Sequence, residues 1–344
     1  MTDFKPYIAA LASGAPLARE ETRAAFALIF EGAATPAQLG AFLMGLRMRG
    51  ETVDEIIGAA QAMRAAMTPV DAPLGAIDIV GTGGDGAGTY NISTLAAIIA
   101  AAAGALVAKH GGKAASSLSG ASDVLGELGV GVGIAPQDAA ACLREAGLCF
   151  MAASAHHPAM RHAAPIRSEL GVRTIFNILG PLCNPARVER QTIGVFSRDR
   201  LAPLAQALAE LGAKRVWLLH GSDGLDEATT TGETHVVALE DGAIRAFDIA
   251  PEDAGLPRAT AQALVGGDPA HNAKALRAVL DGAKNAYRDI AVLNAAIALV
   301  VAERAADIRE GAELAARALD SGAAREKLEA LIRCSNRKPL NRAG

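Results

Sequence analysis

Apolar positions in the first seventy residues recur at helical spacing. Phe26, Ile29 and Phe30, then Leu39, Phe42, Leu43 and Leu46, fall on rows three and four residues apart. Start and stop signals punctuate them. Thr35-Pro36 places a cap residue before a proline at the first helical position, Gly50 marks a stop, and Thr52-Val53-Asp54-Glu55 is a capping box opening a helix over Ile56 to Met67. Residues 1–70 therefore read as helices only, with packing faces and little chemistry. After Pro69 and Pro73 the pattern changes. Short apolar runs at 77–80, 105–108, Val130 to Ile134, Val188 to Phe196, Val216 to His220 and Thr234 to Leu239 read as strands. Helical patterns lie between most of them, at 95–103, Ser122 to Leu128, Gln137 to Ala146 and Leu201 to Leu211. Long helices return over Asn272 to Leu280 and Ala286 to Glu303, and the polar tail after Leu331 is expected to fray. The alternation predicts an α/β fold with a largely parallel central sheet flanked by helices.

The most informative strand is the first. Ile77 to Val80 runs into five glycines within eight residues, Gly81 to Gly88. Asn91, Ser93 and Thr94 then stand as cap candidates before the alanine-rich run from Leu95 to Ala103. Strand, glycine loop and helix N-terminus together form a cradle for a phosphate, because free N–H groups and the positive end of the helix dipole converge there. Gly81, Gly83 and Gly86 satisfy G-x-G-x-x-G, yet a dinucleotide site needs an acidic residue about 20 positions on. Here no Asp or Glu lies between Asp85 and Asp123, and the next strand ends in Lys109-His110-Gly111-Gly112-Lys113. No G-K-[ST] closes the loop, so it is not a P-loop either. A plain glycine turn without ligand is the remaining alternative.

Three further stretches carry chemistry. In Lys109 to Ala121 the lysines supply point charges, and the small residues let backbone N–H groups reach oxygens; a flexible basic turn is the alternative. His156-His157 invites a metal reading, but helical ligand pairs sit at i, i+4 as in H-E-x-x-H, and no glutamate accompanies these two. Asp226-Glu227, in a glycine loop after a strand, can clamp a hard divalent ion against phosphate oxygens or form a solvated acidic turn.

Composition changes the picture in three ways. Aromatics make up 3% of a chain that is 51% hydrophobic, so alanine and leucine helices do most of the packing. A net charge of -4 gives no reason to expect nucleic acid or an anionic membrane as partner, so any positive site is local. Cys142, Cys149, Cys183 and Cys334 show no C-x-x-C spacing and read as reduced, mostly buried thiols. The N-terminus lacks the apolar core of a signal peptide. Leu95 to Ala108, the longest apolar run, is shorter than the roughly 18 residues of a membrane span. A cytoplasmic protein is expected.

The glycine stretch, Gly81 through Thr94, resembles the G-T-G-G-D-G-x-x-T-x-N-I-S-T signature of the anthranilate phosphoribosyltransferases, in the nucleoside phosphorylase superfamily. Four more stretches carry the same resemblance over nearly the whole chain. Lys109 to Gly120 is similar to K-H-G-N-R-x-x-S-S-K-S-G, departing with Gly112 for Asn, Lys113 for Arg and Leu118 for Lys; Ala121 sits where the family often has Ser. His157 to Met160 is the family's H-P-A-M, with His156 in place of the usual Phe. Gly180 to Pro185 matches G-P-L-x-N-P, and Gly224 to Glu227 matches G-L-D-E.

The resemblance implies a small N-terminal helical domain, residues 1–70 joined by about 165–185, which also forms a homodimer interface. A larger α/β domain, 71–344, binds phosphoribosyl diphosphate. It implies that Gly81, Gly84, Asp85, Thr89, Asn91, Ile92, Ser93 and Thr94 contact this substrate, with Lys109, His110, Gly111, Gly112, Lys113, Ala114, Ala115, Ser116, Ser117, Ser119 and Ala121. Ser93, Asp226 and Glu227 would hold two magnesium ions. Arg167 would grip the carboxylate of anthranilate, in a pocket with Gly81, His110, Gly112, Gly180 and Pro181. In the family the asparagine replaced by Gly112 contacts this acceptor. The implied reaction transfers the phosphoribosyl group to the anthranilate amine in tryptophan biosynthesis. That amine is neutral at pH 7, so no dedicated acid or base is demanded, and Lys109 and Lys113 act electrostatically. Two other readings remain: a pyrimidine nucleoside phosphorylase-like enzyme, and a non-catalytic paralogue that binds nucleic acid.

Overall fold

The structure is a computed structural model that describes residues 3–113 and 118–337. Four helices come first: α1 (Lys5–Ala12), α2 (Arg19–Phe30), α3 (Pro36–Arg49) and α4 (Val53–Ala66). The two sequence start signals act as capping boxes. Thr35 N donates to Gln38 Oε1 (3.0 Å) and Thr52 N to Glu55 Oε2 (2.8 Å), each with the reciprocal bond to the threonine hydroxyl. Glu55 is buried because it does more than cap. It also accepts from Leu17 N (2.9 Å) and pairs with Arg49, tying three turns of this bundle together.

The rest of the chain builds a seven-stranded sheet. Its strands are β1 (Ile77–Gly81), β2 (Val107–Gly111), β3 (Leu148–Ala152), β4 (Arg190–Gly194), β5 (Arg215–Gly221), β6 (Thr234–Glu240) and β7 (Ala243–Ile249). Their order is β3-β2-β1-β4-β5-β6-β7; the first five are parallel and the last two antiparallel. The intervening helices are α5 (Ile92–Ala102), α6 (Ala121–Glu127), α7 (Pro136–Ala146), α8 (Ala153–His156), α9 (Ala164–Leu170), α10 (Phe176–Leu182) and α11 (Leu201–Glu210). After β7 come α12 (Pro269–Leu280), α13 (Ala286–Val301), α14 (Ile308–Asp320) and α15 (Ala323–Ser335). No helix among the described residues is long and apolar enough to cross a membrane. All four cysteines are free and buried.

The architecture agrees with the sequence reading, with corrections to single elements. Val130 to Ile134 is not a strand. Gly133 takes φ +80°, and a β-carbon on Gly131 would lie 2.3 Å from the Ser335 carbonyl oxygen, so this stretch is a turn packed under α15. The third strand is instead Leu148–Ala152, buried throughout, whose Leu-Cys-Phe-Met-Ala run has no alternation to betray it. β7 also escaped sequence reading, since it is an exposed edge; the Asp241-Gly242 turn, with φ of +50° and +83°, reverses the chain into it. The second strand lies two residues further along than 105–108, which puts Lys109 and His110 inside it. The C-terminal tail does not fray at Leu331. α15 continues to Ser335, whose hydroxyl accepts from Gly131 N (2.9 Å).

Each face of the sheet carries its own core. Ile77 and Ile79 point to one, built with α5, α7, α13, α14 and α15; α13 is buried along nearly its whole length. Val80, Ile193, Val195, Val216 and Leu218 point to the other, which α1 to α4 share with α10 and α11. Between β1 and β4 the strand order reverses direction. In open α/β sheets, ligands bind outside the carboxyl ends of the strands at such a reversal.

Candidate active site

The glycine loop leaves β1 at this reversal. Thr82 N donates to the Gly194 carbonyl (2.9 Å) and Thr82 Oγ1 accepts from Phe196 N (3.0 Å), which holds the loop against β4. Gly83, Gly84, Gly86 and Gly88 have φ between +62° and +80°, a region that L side chains rarely enter. The chain then reaches α5. Asn91 takes the N-cap position, as the sequence predicts, but its side chain makes no cap bond. Its amide binds Ser119 and Asn272 instead, so no N-cap side-chain bond occupies the first turn of α5.

Lys109, near the end of β2, is buried. Its Nζ donates to the Ile79 carbonyl and to Ser93 Oγ (3.3 Å). Burial pulls its pKa down, while Asp78, Glu227 and Asp226 hold it up. Asp78 is wholly buried in β1, with Oδ1 accepting from His110 N (3.0 Å) and Oδ2 from Asn184 Nδ2 (2.7 Å). Burial raises its pKa to about 6 against the attraction of Lys109. Asn184 also donates to the Ala108 carbonyl (2.9 Å), so this asparagine of the Gly180–Pro185 motif fastens β1 to β2. His110 stays neutral, its pKa pushed down to about 3 by burial and by neighbouring His157, 5.0 Å away ring to ring; the Gly180 backbone opposes that shift.

Asp226 and Glu227 come in from the loop between β5 and β6. Asp226 Oδ2 accepts from Gly83 N (2.6 Å). Two glycines make the approach possible: a β-carbon on Gly194 would lie 1.5 Å from the Asp226 carbonyl oxygen, and one on Gly81 would lie 2.5 Å from Asp226 Oδ2. From the other side Asn294 of α13 clamps the next residue, accepting from Ala228 N (3.0 Å) and donating to its carbonyl (2.9 Å). Burial raises the Asp226 pKa, and Glu227 and Asp85 raise it further. Glu227 is pushed up to about 7 by burial and Asp85, against Lys109 and the Ser93 backbone and hydroxyl.

These groups line one cavity of about 270 Å³. Of the residues singled out in the sequence, it takes Gly81, Gly84, Asp85, Thr89, Asn91, Ile92, Ser93, Lys109, His110, Gly111, Gly112, Lys113, Ser119, Ala121, Asp226 and Glu227. Thr94 lies buried behind it, 2% exposed. Ala114, Ala115, Ser116 and Ser117 lie outside the described residues. Arg167, Gly180 and Pro181 are not among the lining residues. Arg167 sits on α9 with its guanidinium 5.1 Å from the Phe176 ring centroid, and burial lowers its pKa. Gly180 and Pro181 are on α10, whose Asn177 does reach the cavity. Asn177, Tyr90 and Asp78 were missed in the sequence, and Thr82, although a motif position, was given no role. A lone polar or aromatic residue outside the motif positions carries no signal of its own.

The donor set at the acidic end is hard oxygen: the buried Asp226 carboxylate, the part-buried Glu227 carboxylate beside it, a third from Asp85 nearby, and the Ser93 hydroxyl. Raised carboxylate pKa values mark negative charge without full compensation, which suits a magnesium ion. Among the described residues, no group of three or more His, Cys, Asp or Glu side chains is arranged to hold a metal alone. A site completed by phosphate oxygens, the usual arrangement for magnesium, fits that arrangement.

The chain matches the glycosyl transferase family a/b domain over residues 74–325 and that family's helical bundle domain over residues 5–67. A relative named anthranilate phosphoribosyltransferase, from Methylocella silvestris, is 65% identical over 340 residues, spanning 99% of this chain and 97% of its own. The crystal structure of anthranilate phosphoribosyltransferase from Thermus thermophilus superimposes with a TM-score of 0.91 at 42% identity, covering 96% of this chain and 99% of that one. The Saccharomyces cerevisiae enzyme in complex with PRPP and Mg gives 0.89 at 30% identity, covering 96% and 97%. By sequence, by fold and by the cavity at the β1–β4 reversal, the chain belongs to the anthranilate phosphoribosyltransferase family.

Proposed function

We propose that this chain transfers the 5-phosphoribosyl group of phosphoribosyl diphosphate to the amine of anthranilate, in tryptophan biosynthesis. The products are N-(5-phosphoribosyl)anthranilate and diphosphate. The observation that carries the reading is the convergence of the glycine loop, the α5 N-terminus, buried Lys109 and the Asp226–Glu227 pair on one cavity. Breaking the bond from the anomeric carbon to diphosphate leaves positive charge on the ribose and concentrates negative charge on the leaving group. The amine nitrogen then forms the new bond to that carbon and loses a proton to solvent.

Magnesium, held by Asp226, Glu227 and Ser93, would neutralise charge on the departing diphosphate. Lys109 is fixed by two hydrogen bonds, so its charge is already placed when the reaction starts, and the α5 dipole points the same way. Lys113, at the cavity mouth, adds a second cation. Holding two substrates in register contributes effective molarities that can reach about 10⁵ M or more. His110, uncharged at neutral pH, offers the acceptor a neutral ring beside the Gly180 backbone. Arg167 is assigned to the anthranilate carboxylate.

The number of magnesium ions is taken as two. Residues 1–70, with about 165–185, are assigned to a helical domain that pairs two copies, and 71–344 to the substrate domain; the cytoplasm is the assigned location. One comparison tests the function: turnover of phosphoribosyl diphosphate with anthranilate, against thymidine with phosphate, in magnesium buffer. The first pair should give product and the second none. Thymidine phosphorolysis without anthranilate turnover would move the chain to the phosphorylases.

A further inference from the structure

Residues 88–91 are seated by the C-terminal third of the chain, where no motif pointed to the site. Thr89 bridges Val265, Tyr90 N donates to the Leu264 carbonyl (3.1 Å), and Gly266 N donates to the Gly88 carbonyl (2.9 Å). The approach is close enough that a β-carbon on Gly266 would lie 2.7 Å from the Thr89 carbonyl oxygen. The Tyr90 ring stacks on Tyr287 (centroids 4.4 Å apart) and on His271 (5.9 Å). Tyr287 OH donates to the Asn91 carbonyl (3.1 Å).

Asn272, on α12 and 1% exposed, is the pivot. Its Oδ1 accepts from Gly267 N (2.8 Å), which leaves Nδ2 to donate to Asn91 Oδ1 (2.9 Å). With that oxygen turned to Asn272 and to the Ser119 hydroxyl (3.1 Å), Asn91 Nδ2 donates to the Ser119 carbonyl (3.1 Å). Flipping the Asn91 amide would set two NH₂ groups face to face and two carbonyl oxygens face to face. One buried amide therefore selects the orientation of the next. We propose that Asn272 is a positioning residue for the phosphoribosyl diphosphate site: it orients the Asn91 amide and so docks the Ser119 end of the 109–121 loop onto the glycine loop.

The proposal rests on reading this cavity as the phosphoribosyl diphosphate site. Two variants bracket it. Asn272→Asp keeps an acceptor for Gly267 N but loses the donor to Asn91, and Asn272→Leu removes both bonds without adding charge. In each, KM for phosphoribosyl diphosphate should rise about 10-fold, the value of one well-placed hydrogen bond, while KM for anthranilate stays within about twofold. Hydrogen exchange in the unliganded protein should quicken in peptides covering 86–92 and 118–124. A folded variant of either kind with an unchanged diphosphate-substrate KM overturns the proposal, as does a parallel rise in both KM values with a lowered melting temperature. If wild-type protein shows no turnover, the functional reading has failed, and the hydrogen-exchange comparison still judges the positioning claim.

Discussion

At residue 112 a β-carbon would meet, among the described residues, only the Ala153 β-carbon, at 3.8 Å, and no left-handed φ reserves the position for glycine. Gly112→Asn is therefore tolerated by the backbone. It restores the amide that the family resemblance places on the acceptor, and it should lower KM for anthranilate a few-fold, in line with a net hydrogen-bond value of about 0.5–1.5 kcal/mol. KM for phosphoribosyl diphosphate and the melting temperature should not move; an unchanged anthranilate KM would reopen the acceptor assignment. Arg167→Ala should act in the opposite sense on the same substrate. Losing a charge-assisted bond costs about 1.5–3 kcal/mol, roughly 10- to 150-fold in anthranilate KM, and equal effects on both substrates would remove Arg167 from the acceptor site. The acidic pair gives a different signature. Its ionised forms are disfavoured by burial and by each other, so Asp226→Asn with Glu227→Gln should lose most activity while melting no lower than wild type without metal. Wild-type turnover by that double variant at limiting magnesium would refute the metal assignment.

At the scale of elements, the site depends on strands ending together. Gly81 of β1 pairs in register with Gly194 of β4, and the Asp78 and Asn184 side chains bind β1 to β2 three residues earlier. Asp78 makes this join sensitive to pH. Its folded pKa of about 6 lies above the ordinary 3.8, so between those values the folded chain holds a proton that the unfolded chain has released. Stability from this group is fully present below 3.8 and is lost as pH rises through about 6. Relative to Asp78→Asn, wild type should lose on the order of 3 kcal/mol from pH 4 to pH 7, at about 1.36 kcal/mol per pKa unit. Urea unfolding of both proteins across that range measures it. A pH-independent difference would mean that Lys109 keeps Asp78 ionised throughout.

For the whole molecule, the second core decides how the parts are joined. Helices α1 to α4 do not pack on one another alone; Phe26 and Phe30 meet Phe176 of α10 ring to ring, 5.6 and 6.3 Å apart. The same core continues through α11 to the sheet. The backbone that joins the two parts is pinned as well, Thr68 N donating to the His156 carbonyl (2.7 Å) and Val70 N to the Pro185 carbonyl (2.9 Å). α10, which carries Gly180 and Pro181, is thereby packed directly against the helical bundle. Sedimentation at micromolar concentration should find about 70 kDa, twice the 35.0 kDa chain. A single species at the monomer mass would remove the pairing role.

Local chemistry was enough to place what depends on local chemistry. The capping boxes at Thr35 and Thr52, the helical rows of Phe26 to Leu46 and the glycine loop before α5 are each written in contiguous residues, because caps, amphipathic faces and left-handed turns are satisfied within a few positions. The family signatures brought in Asp226 and Glu227, which lie far from that loop in sequence and line the same cavity. Where the answer depended on a distant neighbour, the sequence was silent or misleading. Val130 to Ile134 has a strand's composition, but Gly131 is pressed against α15; Leu148 to Ala152 lacks alternation because both its faces are buried. Asn91 looks like a helix cap, yet its amide is taken by Ser119 and Asn272. No pattern around Asn272, Tyr287 or Asn294 marks them, since a polar side chain on a helix is ordinary until its partner is known. Hydrogen-bond partners and buried charges are properties of the packed chain, and only the tertiary structure assigns them.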